Sequence, residues 1–113
     1  MDRSTLAAIA LLGCPFAAQT LATEARADET ASLTIRNHHF EPRTLTVKAG
    51  TKIAISVTNA GTDPAEFESN ELNREKVIPP GKTVTVYVGP LSPGTYPFFD
   101  DFDQANTGQI VAK

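Results

Sequence analysis

Ile53-Ala54-Ile55-Ser56-Val57-Thr58 reads as a half-buried strand. Ile53, Ile55 and Val57 fall on one face of a pleated backbone, and Ala54, Ser56 and Thr58 fall on the other. The β-branched residues suit that geometry. The same period of two continues on either side. Leu45 and Val47 alternate with Thr44, Thr46 and Lys48, and Val84, Val86 and Val88 alternate with Thr83, Thr85 and Tyr87. Turn chemistry separates the runs: Ala49-Gly50, Asn59-Ala60-Gly61-Thr62-Asp63-Pro64, Pro79-Pro80-Gly81 and Pro90-Leu91-Ser92-Pro93-Gly94. From Leu33 onward no run keeps a helical period, and only Glu71 to Lys76 suits a helical turn. The pattern predicts an all-β domain of seven or eight strands, a β-sandwich or barrel with Greek-key connections. Phe40, Phe67, Tyr96 and Phe98 are the expected core aromatics, and Asp28 to Ser32 is expected to be a flexible start.

The first 27 residues read differently. Arg3 supplies a weak positive region, Leu6 to Leu12 is apolar, and Ala25-Arg26-Ala27 has the form of an export cleavage site. The expectation is a signal peptide over 1–27 and a single domain over 28–113, located in the periplasm. The apolar run is too short for a permanent membrane span. Leu11-Leu12-Gly13-Cys14 offers an alternative, a lipobox with Cys14 lipidated. It is the weaker reading, because Pro15, Phe16 and Ala17 extend the apolar stretch beyond the cysteine.

Cys14 is the only cysteine and Met1 the only methionine of the chain. The expected domain therefore has no disulfide, thiolate or thioether, and must be held together by its core. The net charge is −3. Removing the leader takes Arg3 and Arg26 from ten bases, and Asp2 and Glu24 from thirteen acids, so the balance is unchanged. Five acids lie between Asp63 and Glu75, and three between Asp100 and Asp103. No basic face is visible, which excludes a nucleic-acid role, and two acidic clusters suit a cation.

The stretches Phe40-Glu41-Pro42, Thr44 to Thr51, Asp63-Pro64-Ala65-Glu66-Phe67, Pro80-Gly81, Pro93-Gly94-Thr95-Tyr96 and Gly108-Gln109-Ile110-Val111 resemble the cupredoxin fold from about Leu33 to Lys113. Within it, Ala65 to Ser69, Arg74-Glu75-Lys76-Val77 and Phe99-Asp100-Asp101-Phe102 resemble the EfeO-type domains and the small cupredoxin-like components of bacterial ferrous-iron uptake systems. That resemblance implies a periplasmic accessory protein that binds iron or copper. It implies an inner-membrane iron permease or other periplasmic uptake components as partners. The chain departs from the copper-binding pattern at four places. Ala65 stands where a ligand His is usual, Asp100 where the Cys is, Asp103 where the next ligand His is, and Asn106 near the axial Met. A type 1 copper centre, which needs two imidazoles and a thiolate, is not expected.

What remains is a set of oxygen donors with two imidazoles. Glu66 and Glu68 share a strand face, about 7 Å apart along the chain, with Phe67 directed to the core. Asp100 follows the Tyr96-x-Phe98-x spacing that places an inward side chain at the barrel end, and Asp101 and Asp103 lie on the closing loop. His38 and His39 point to opposite faces if they lie on a strand, so at most one serves a given site. The candidate metal ligands are therefore Asp100, Glu66, Glu68, Asp103, Asp101, His39 and His38, with Asp100 foremost. Fe(III), Mn(II) or Cu(II) would accept such donors. Glu75 and Lys76 read as an exposed pair worth well under about 1 kcal/mol. A second class of function is a metal-free adaptor that binds a protein through its acidic face. Enzymatic sets are missing: there is no Ser-His-Asp arrangement, paired-His motif or nucleotide loop. Ferroxidase-linked chemistry is the one catalysis the resemblance implies.

Overall fold

The alternating runs become strands in the computed structural model, which describes residues 26–113. In chain order they are β1 (Glu29–Arg36), β2 (His39–Glu41), β3 (Thr44–Val47), β4 (Ile53–Asn59), β5 (Ala65–Ser69), β6 (Arg74–Ile78), β7 (Thr83–Val88), β8 (Gly94–Asp100) and β9 (Asp103–Ala112). No helix occurs among the described residues. The all-β sandwich is as expected, with nine strands in place of seven or eight. One sheet has the order β2-β1-β4-β7 and the other β3-β9-β8-β5-β6. The pairs β1·β4 and β3·β9 are parallel and the rest antiparallel. The readings of residues 1–25 as an export leader, Cys14 among them, lie outside the described residues.

The strand that decided the fold behaves as its pattern requires. Along β4 every second residue, from Ile53 to Asn59, is buried, and the alternate ones are half-buried. The inner faces of the two sheets enclose Leu33, Ile35, Phe40, Ile55, Val57, Phe67, Val86, Phe98 and Ile110. Phe98 is central. Phe40 meets it edge-on with ring centroids 4.8 Å apart, and Phe67 lies tilted at 4.9 Å. Such contacts add to the burial of large side chains, the main stabilising effect in a domain of this size. Tyr96 is half-buried at the border of the core, where its hydroxyl donates to Ser92 O at 2.7 Å.

Two local expectations are corrected. Asp28 to Ser32 is not a loose start: β1 begins at Glu29 and runs parallel to β4, pairing Glu29 with Ile53 and Ala31 with Ile55. Lys52 O accepts from Asp28 N at 2.8 Å, and Glu29 Oε1 accepts from Lys48 N at 2.9 Å, so the strand is tied down from its first residues. Glu71 to Lys76 is not a helical turn. Asn70 to Asn73 form a turn closed by Asn73 N donating to Asn70 O at 3.2 Å, with Asn73 at φ 55°, and Arg74 starts β6. Asparagine tolerates that left-handed backbone, so the chain reverses there into a hairpin.

Candidate metal centre

β5 and the end of β8 position the acidic side chains. Along β5, Ala65, Phe67 and Ser69 turn to the core, so Glu66 and Glu68 lie on the outer face of the five-stranded sheet. Along β8, Phe98 and Asp100 face inward, and Asp101 follows on the outer side. One carboxylate oxygen from each of Glu66, Glu68 and Asp101 lies within 4.8 Å of the other two. Glu68 is half-buried and Asp101 exposed, whereas Glu66 is only 4% exposed. Oε1 of Glu66 is buried and has no hydrogen-bond partner. Its carboxyl is pushed up from 4.5 to about 7. Burial is the largest cause, followed by a hydrogen bond with Glu75 and then the charges of Glu68, Glu75 and Asp101.

No Lys or Arg stands within ion-pair distance of these three acids among the described residues. Arg74 is close in sequence, but its guanidinium donates to the carbonyls of Tyr87 (2.8 Å), Asn73 (3.0 Å) and Leu72 (3.5 Å). Among the described residues, the acids therefore repel one another with no ion-paired base beside them. A bound cation would relieve that repulsion.

The other expected residues lie elsewhere. Asp100 is buried, 4% exposed, and its Oδ1 accepts from Glu66 N at 3.0 Å and from Phe102 N at 2.9 Å. Burial raises its pKa; the two N–H groups act against that, and the charges of Asp103 and Asp101 add to the rise. Asp100 and Asp103 line an open hollow of about 880 Å³ at the sandwich end, with His38, Asn59 and Ala65. His38 Nδ1 is 3.4 Å from Asp103 Oδ2. His38 sits in a turn at φ 62°, and His39 is exposed at the start of β2, beside the buried Phe40. The seven candidates thus divide between the outer sheet face (Glu66, Glu68, Asp101), the end hollow (His38, Asp100, Asp103) and an isolated strand start (His39).

A model of the cupredoxin-like domain matches residues 5–112. The chain belongs to that family. An uncharacterised protein of Rickettsia prowazekii (strain Madrid E) is 40% identical over 72 residues, covering 64% of this chain and 58% of the relative's length. The chain thus spans little more than half of that relative. Among solved structures, a purple cupredoxin from Nitrosopumilus maritimus superposes with a TM-score of 0.61 at 17% identity, covering 74% of this chain and 99% of the other. The periplasmic domain of cytochrome oxidase subunit II from Bradyrhizobium japonicum gives 0.68 at 13%, covering 79% and 86%. The metal-binding domain of the Streptococcus pneumoniae D39 Cu(I)-exporting ATPase, solved with Cu(I), gives 0.65 at 12%, covering 74% and 84%. At these identities the likeness concerns the fold.

This cupredoxin-like domain carries one acid that sequence reasoning treated as plain surface. Glu75 on β6 stands directly opposite Glu68 on β5, and its carboxylate helps to raise that of Glu66, so it lies beside the outer-face cluster. Like charges facing each other across a strand pair destabilise the sheet. Lys76, its neighbour, projects to the other side of the strand and does not neutralise it. The usable signal was the turn at Asn70 to Asn73: a hairpin closed there places Glu75 across from Glu68. No helix among the described residues is long and apolar enough to cross a membrane.

Proposed function

We propose that this cupredoxin-like domain is a periplasmic metal-binding accessory protein of iron or copper handling, of the EfeO type, and that Glu66, Glu68 and Asp101 take up the ion. The observation that carries the reading is the unpartnered, buried Oε1 of Glu66 within a set of three converging carboxylates. The donor set is all oxygen, which suits Fe(III), Mn(II) or Cu(II) and does not suit the soft thiolate chemistry of a type 1 copper centre. With the ion as cargo, the domain would work beside an inner-membrane permease or another uptake component. Resemblance to the small components of ferrous-iron uptake systems supports that placement.

Calorimetric titration of the metal-free protein with Mn(II), Cu(II) and citrate-buffered Fe(III) tests the reading. Replacing Glu68 by Ala is expected to weaken binding at least about tenfold, roughly 1.4 kcal/mol. Glu71→Ala, in the exposed turn of the same acidic region, is expected to leave it unchanged. Equal losses would show a diffuse negative surface. Binding no tighter than millimolar by the wild type would replace this reading with the metal-free adaptor.

A further inference from the structure

Asp100 is placed where its carboxylate joins two backbone segments that each carry a member of the outer-face cluster. We propose that Asp100 is a positioning residue: it clamps the backbone of Glu66 to the turn that holds Asp101, and does not itself ligate the ion. The inference rests on the reading of Glu66, Glu68 and Asp101 as the cation site.

The sheet pairing explains why a clamp is needed. β5 and β8 share a single paired position, Glu68 with Phe99, and the ladder of β8 with β9 is then broken by an irregularity between Phe99 and Asp100. Beyond that point, Oδ1 of Asp100 receives the amide of Glu66 at 3.0 Å. The same oxygen receives Phe102 N at 2.9 Å, an Asx turn that shapes the segment Asp100 to Asp103. One buried acceptor thus serves an amide from each segment. Asp100 shares the inward face of Phe98, whereas Glu66, Glu68 and Asp101 lie on the opposite side of the sheet. Its carboxylate therefore stands across the backbone from the cluster.

Asparagine keeps the acceptor oxygen, and alanine removes it, leaving two N–H groups without a partner in a buried place. Mn(II), followed by calorimetry, is the probe for the wild type, Asp100→Asn, Asp100→Ala and Glu68→Gln. The expected result is that Asp100→Asn stays within about threefold of the wild type, whereas Asp100→Ala and Glu68→Gln each lose about tenfold or more. An Asp100→Asn variant as weak as Asp100→Ala would make Asp100 a ligand or a required charge, and overturn the proposal. Amide hydrogen exchange on the metal-free protein reads the clamp separately. Glu66 and Phe102 amides are expected to be protected in the wild type and in Asp100→Asn, and to exchange at least about tenfold faster in Asp100→Ala. Unchanged exchange in Asp100→Ala would overturn the clamp even if affinity fell. Failure of the wild type to bind Mn(II), with the exchange result intact, would remove the metal reading and the positioning role while leaving the clamp as a structural fact.

Discussion

Replacing Glu66 by Gln in the metal-free protein is predicted to stabilise the fold at alkaline pH and to do little in acid. Glu66 ionises near 4.5 when unfolded and at about 7 when folded. A carboxyl raised in the folded state contributes stability that is complete below the unfolded value and is lost as pH rises through the folded one. Above about pH 7 the folded protein must hold a charge that is 4% exposed, with Glu68, Glu75 and Asp101 beside it. The gap between 4.5 and about 7, at about 1.4 kcal/mol per pKa unit, sets a ceiling of about 3–4 kcal/mol. Gln has the same shape and carries no charge. Urea unfolding with chelator present is the assay, run at about pH 5 and about pH 8.5. The expected gain for Glu66→Gln is up to about 3–4 kcal/mol at the higher pH and under about 1 kcal/mol at the lower. A gain of the same size at both would mean that packing, not ionisation, was changed. A loss at about pH 8.5 would mean that the charge is compensated within the protein, and would refute the electrostatic account of the cluster.

Two further predictions concern the scaffold. Phe98→Ala opens a cavity between Phe40 and Phe67 and should cost about 3–5 kcal/mol, measured as a lower denaturation midpoint with an unchanged slope. Gly108→Ala should cost about 1–3 kcal/mol, because the added Cβ would stand 2.6 Å from Phe98 ring carbons and 2.8 Å from Arg43 O. Thermal unfolding that leaves Gly108→Ala at the wild-type midpoint would show that Phe98 and the β3 approach can yield.

Much of the fold could be read from side-chain period because one face of each strand is buried. β3, β4 and β7 carry a clean alternation of branched apolar and small polar residues, and those strands lie where the pattern puts them. β1 escaped notice at its start because Glu29 and Thr30 look like a solvated terminus. The partners that hold it, Ile53 and Lys52, are over twenty residues away, and local pattern does not report such pairing. β6 carries a weak local signal for a related reason: four of its five residues are exposed, so no apolar face marks it. Asn59 shows the same limit. In the sequence it opens a turn; in the fold its buried amide donates to Asp63 O and Ile78 O and accepts from Gly61 N, closing the loop before β5.

The site was legible as far as parity reaches. Glu66 and Glu68 share a face because they are two residues apart on a strand, and Asp100 faces inward because it is two beyond Phe98. Parity does not say on which side of the sheet a cation would gather its donors, and a shift of one residue reverses that answer. Asp101, the outward neighbour, joins Glu66 and Glu68, while Asp100 spends its oxygen on backbone amides. The consequence for function follows from the two environments. An ion beside Asp100 would lie in the hollow at the sandwich end, among His38, Asn59 and Asp103. One held by Glu66, Glu68 and Asp101 on the outer face has an exposed ligand in Asp101, room for water in its remaining positions, and a strand edge at β6 beside it. On the proposed function, partly hydrated binding at an open face would favour exchange over storage, which is the behaviour an accessory protein needs if it passes a metal ion to a partner.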